Sequence, residues 1–133
     1  MWYDSKEKPT DWRAGARYLS KADPAMKKII AKVGPCHLAP RKDYFIVLCT
    51  AIFNQQVSMA AAASMFKKFR AQFPRKKPTP RLALKFLQGD DEKVRACGIS
   101  RQKRAYLIDL SRHFLDGKIP VRKFGKMSDD EII

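Results

Sequence analysis

At 133 residues, 45% hydrophobic and 31% charged, the chain has the length and composition of one ordinary globular domain. Its 28 Lys and Arg against 13 Asp and Glu leave a formal charge of +15, so the summed field attracts polyanions, with nucleic acid first among them. An anionic membrane is the weaker partner, because the basic residues are scattered through globular sequence and no apolar run approaches the ~20 residues that a bilayer span needs.

Cys36, Cys49 and Cys97 are odd in number, far apart and without metal-binding spacing, which predicts reduced thiols and no metal or cluster site. The first residues, MWYDSKEKPTDWR, carry no apolar leader core, so the chain is expected in the cytoplasm or on DNA, in a bacterial nucleoid or a eukaryotic nucleus.

Helix signals dominate in chain order. Thr10 or Asp11 can cap a short helix around Trp12 to Leu19, and Asp23 followed by Pro24 starts another that Gly34 and Pro35 stop. His37, in the connector that follows, has no partner nearby in sequence and is read as a surface or packing residue. Residues 1–42 are therefore taken as an N-terminal segment with two short helices, and 43–133 as a helical bundle domain. Asp43 caps the central helix, where apolar residues from Tyr44 to Phe53 point in every direction, the pattern of a helix buried all round.

A polar break, Asn54 to Ser58, comes next. Ser58 caps a second helix in which Met59, Ala62, Ala63, Phe66, Phe69 and Phe73 share a face. The basic stretch PRKKPTP reads as a solvated loop, Thr79 and Pro80 restart a helix, and Gly89 and Asp90 break it before a short turn carrying Val94 and Cys97. Gly98 suits a left-handed position, Ser100 the next N-cap, and Leu107, Ile108, Leu110, Phe114 and Leu115 an apolar face of the helix that follows. Ser128 and Glu131 form a capping box whose helix is cut short at Ile133, so the chain is expected to be a fragment.

The order and spacing of these segments, above all Phe-Asn-Gln-Gln-Val-Ser at Phe53 to Ser58 and Gly-Ile-Ser-x-x-Lys at Gly98 to Lys103, resemble the N-terminal half of helix-hairpin-helix DNA glycosylases. The alkylbase branch, DNA-3-methyladenine glycosylase II, is the nearest in pattern. The resemblance implies an all-α helical bundle, monomeric at full length, that excises alkylated purines from double-stranded DNA in base excision repair after flipping the damaged base out of the stack. It puts Gln56 at the family's wedge position, with Gln55 and Ser58 on the same DNA-facing turn; from the residues alone, ordinary interhelix turn chemistry with Ser58 merely capping is the alternative. Ser100, Arg101 and Lys103 are candidate phosphate contacts at a helix N-terminus; a cap followed by solvated charges is the plainer reading of those three. The family's glycine-rich hairpin and catalytic aspartate have no counterpart here and are expected beyond Ile133. No catalytic residue is thus assigned, the resemblance implies a reaction that needs no metal or cofactor, and the chain by itself is expected to be inactive. The alternatives are a helix-turn-helix regulator and a helical module that binds nucleic acid through charge without catalysis.

Overall fold

The computed structural model describes residues 12–37, 41 and 43–132. They are all-α, with no strand among them, and the chain divides into two compact units, Met1–Pro40 with Lys123–Ile133 and Arg41–Arg122. No helix among the described residues is long and apolar enough to cross a membrane.

In the first unit, α1 (Trp12–Ala22) and α2 (Pro24–Val33) make an antiparallel hairpin around a single residue, Asp23. The Asp23 carboxylate accepts from the Ala25 and Met26 N–H groups at 2.7 and 3.3 Å, and its own N–H closes α1 on the Leu19 carbonyl. One residue thereby ends a helix through its backbone and begins the next through its side chain, with Pro24 pre-set for the first turn. Gly34, at φ +86°, stops α2. The expected caps Thr10 and Asp11 lie outside the described residues. Near the other end, a 3-10 turn at Phe124–Lys126 precedes the short α8 (Asp129–Ile132). Glu131 reaches back to the Ser128 N–H at 2.8 Å and to its hydroxyl at 3.1 Å, and these bonds hold its carboxyl below the ordinary value of 4.5.

The second unit contains α3 (Tyr44–Asn54), α4 (Met59–Ala71), a 3-10 turn (Pro74–Lys76), α5 (Pro80–Leu87), α6 (Asp91–Ala96) and α7 (Arg101–Leu115). Its start signals are local and work as the sequence implies: Asp43, Ser58, Thr79 and Ser100 each accept from a first-turn N–H. Asp90 does more than break a helix, since it caps α6 through Glu92 and Lys93.

The core is aromatic at its centre. Phe69 packs against Phe53, Phe73 and Phe86 with ring centroids 4.9–5.9 Å apart, and Phe45 meets Phe114 edge-on at 5.2 Å. Phe53 and Phe69 are fully buried, and each such ring is worth about 3–5 kcal/mol against truncation to alanine. Val94, Cys97, Ile99, Ala83, Leu87 and Leu107 complete the layer.

Two expectations about helix faces need correction. α3 is not buried all round: Phe45, Cys49 and Phe53 form one i, i+4, i+8 stripe, while Tyr44 and Leu48 are exposed, because the other bundle helices cover a single side of it. On α4, Met59 and Ala63 face solvent, and the packed stripe is Ala62, Met65, Phe66, Phe69 and Phe73. Met65 takes the place expected of Ala63, its side chain lying where a Cβ on Gly98 would collide with it. The Cys49 thiol is pushed up to about 12, by burial first and by the Asp43 charge second.

Candidate nucleic-acid interface

The turn between α3 and α4 and the first turns of α7 face each other across a cleft of about 470 Å³. Gln55, Gln56 and Val57 line one wall, Ser100, Gln102, Lys103 and Tyr106 the other, and Met65 and Gly98 the floor; among the described residues no carboxylate contributes. A cleft lined by amides, hydroxyls and a cation is suited to a polar or anionic ligand.

Backbone geometry sets the upper wall. α3 ends at Asn54, whose Nδ2 returns to the Thr50 carbonyl at 2.9 Å, and Gln55 is extended with its N–H on the Ile52 carbonyl. Gln56 then adopts φ +53°, left-handed and ordinarily disfavoured for a side chain with a Cβ, at a cost of about 1–2 kcal/mol. Ser58 restarts the helix by accepting from the Ala61 N–H at 3.2 Å. The two helices are fixed by the core, so the reversal is taken up within a few exposed residues, and Gln56 carries the strain.

The lower wall belongs to α7. The Ser100 hydroxyl accepts from the Lys103 N–H at 3.2 Å, and Arg101 is exposed beside it. Lys103 is half-buried, and its ammonium donates to the Phe53 carbonyl at 2.8 Å. The expected phosphate donor is thus directed at the end of α3. Of the six candidates, Gln55, Gln56, Ser100 and Lys103 line the cleft itself; Ser58 caps α4 from beside it, and Arg101 lines a small pocket with Asp91 and Arg104.

Sequence reasoning passed over Tyr106 and Arg104. The Tyr106 hydroxyl accepts from Gln102 Nε2 at 2.8 Å, and the ring lines both this cleft and an adjoining one of about 420 Å³ that also includes Asp109 and His113. Its i+4 spacing from Gln102 on a polar helix face was the available signal. Asp109 and His113 are themselves an i, i+4 pair, with Nδ1 3.4 Å from the carboxylate but 2.9 Å from the Asp109 carbonyl, the arrangement of an ordinary helix surface. Arg104 ties three elements together: Nε donates to the Leu87 carbonyl at 2.6 Å, one terminal nitrogen to the Gly89 carbonyl at 3.3 Å and the other to the Asp91 carboxylate.

The first turn of α4 turns Met59, Ala60, Ala61 and Ala63 to solvent. Such a surface offers base edges little beyond methyl contacts, so α4 lacks the polar side chains of a helix-turn-helix recognition helix.

Residues 49–130 match the model of the family described as HhH-GPD superfamily base excision DNA repair protein. The chain belongs to the HhH-GPD superfamily. All six candidate residues fall within the matched segment, and the α1–α2 hairpin lies before it. Among curated proteins, the chain is 29% identical over 131 residues to the alkylbase DNA glycosidase-like protein mag2 of Schizosaccharomyces pombe, covering 95% of this chain and 60% of that protein. It is 29% identical over 125 residues to DNA-3-methyladenine glycosylase 1 of the same organism, covering 87% of this chain and 52% of that one. The chain thus spans little more than half the length of these relatives. As an HhH-GPD chain it places the polar turn and the capped α7 N-terminus, both legible in sequence, on opposite walls of one cleft.

Proposed function

We propose that this chain is the DNA-probing, base-flipping part of an alkylbase DNA glycosylase that acts in base excision repair on alkylated purines such as 3-methyladenine in double-stranded DNA. The observation that carries the reading is Gln56, an exposed non-glycine residue held at φ +53° at the cleft mouth. Arg75 and Lys76, in the basic loop, share this conformation, so the strain counts at Gln56 because it is held at the cleft, and strain kept beside a cleft is found at functional sites. In this reading the Gln56 amide enters the gap left by the flipped base, stacks there and hydrogen-bonds the orphaned partner, offsetting the few kcal/mol that unstacking costs. Ser100 and Arg101, at the N-terminus of α7, accompany a phosphate, where free N–H groups favour an anion. One copy acts on one lesion, wherever the cell keeps its DNA.

Hydrolysis of the N-glycosidic bond needs a carboxylate to support positive charge on the sugar and to assist water. Among the described residues no carboxylate lines the cleft, and in this reading the 133 residues by themselves open and probe DNA without cleaving the bond.

The test is binding at fixed salt to undamaged duplex, to one defined operator-like sequence and to duplex carrying an abasic-site analogue. A preference for the abasic duplex that Gln56→Ala markedly lowers is the expected result. Equal binding to all three, unaffected by Gln56→Ala, would leave only attraction of charge. Incubation with alkylated DNA is expected to release no base.

A further inference from the structure

We infer that Lys103 is a positioning residue for Gln56, acting through the end of α3 and not through a phosphate. The inference rests on the wedge reading of Gln56 above. The Phe53 carbonyl lies in the last turn of α3, and the N–H four residues on, at Val57, is past the helix end, so its normal helical partner is missing. The Lys103 ammonium supplies a replacement at 2.8 Å from 50 residues away in sequence, with the favourable sign for a helix C-terminus. Both ends of the strut are anchored. The Phe53 ring is fully buried in the aromatic core, and the Lys103 N–H is held by Ser100.

Between this anchor and the Ser58 cap of α4 only Asn54 to Val57 are left to make the reversal, and Gln56 takes the left-handed conformation there. Without the strut, the last turn of α3 is free to fray, and Gln56 has lower-energy backbone states to relax into. The amide would then leave its place at the cleft mouth while the core beneath it stayed intact. A cation committed to an internal carbonyl is also a poorer phosphate ligand than the exposed Arg101.

The two roles predict different measurements. In the 133-residue chain, Lys103→Met is expected to lower the preference for abasic over undamaged duplex on the order of tenfold, as the loss of a charge-assisted hydrogen bond allows. The slope of log affinity against log salt on undamaged duplex is expected to stay unchanged. A phosphate contact would instead lower that slope by about 0.9 and leave the preference intact, which would overturn the inference. The deciding comparison is the double variant: if Lys103 acts through Gln56, Lys103→Met has no further effect on the preference in a Gln56→Ala background. Full additivity there would also overturn it. If Lys103→Met unfolds, as judged by thermal melting, Lys103→Gln takes its place in the same cycle. The underlying reading fails separately, since it falls if Gln56→Ala alone leaves the preference unchanged.

Discussion

Nε of Arg104 donates to the Leu87 carbonyl at 2.6 Å, so a charged side chain of α7 closes the C-terminus of α5, whose last residue is fully buried. The same guanidinium holds the Gly89 carbonyl and the Asp91 carboxylate, and therefore fixes the α5–α6 junction and the angle at which α7 crosses it. Removing it leaves a buried helix end without its partner. Arg104→Met is expected to cost about 1.5–3 kcal/mol in urea denaturation, whereas Arg101→Met, on an exposed side chain of the same helix, stays within about 0.5 kcal/mol. Equal effects for the two would show that the guanidinium contacts contribute nothing beyond surface charge.

The Asp91 carboxyl is held below its ordinary value of 3.8, first by the hydrogen bond from Arg104 and then by that residue's charge. A folded-state value below the unfolded one means that the contact stabilises fully above pH 3.8 and is lost as pH falls through the depressed folded value. The gap in melting temperature between the parent chain and Asp91→Asn should therefore be small but constant near neutrality and close on acidification. A gap of the same width at every pH would mean that the carboxylate is not what Arg104 recognises. Asp91 is exposed, so the effect is expected to weaken in high salt.

At Gly98 two constraints coincide. The backbone is at φ +78°, and an added Cβ would lie 2.8 Å from Met65 Cγ and 3.1 Å from its sulfur. Gly98→Ala is expected to destabilise by about 1–3 kcal/mol, part from the left-handed backbone and part from the collision with Met65. In a Met65→Ala background the penalty should shrink to the backbone share, about 1 kcal/mol. A penalty that is the same in both backgrounds would rule out the collision. Because both residues form the floor of the cleft, the single variant should also weaken DNA binding.

The sequence by itself determined what depends on neighbours within a few residues. Asp23, Asp43, Ser58, Thr79 and Ser100 start helices because a short oxygen-bearing side chain reaches an N–H two or three residues on, and Gly34 and Gly98 end segments because a glycine enters φ > 0 without strain. The all-α class and the family resemblance carried by Phe53 to Ser58 and Gly98 to Lys103 follow from such signals. Tertiary structure alone decided the rest. Which side of α3 is buried, that Met65 and not Ala63 fills the space over Gly98, that Lys103 reaches Phe53 and Arg104 reaches Leu87, and that Gln56 absorbs the strain of the turn all depend on elements brought together from distant parts of the chain. Those contacts have no periodicity or spacing to betray them, because a long cationic side chain finds its carbonyl only after the aromatic core has set where the helices end.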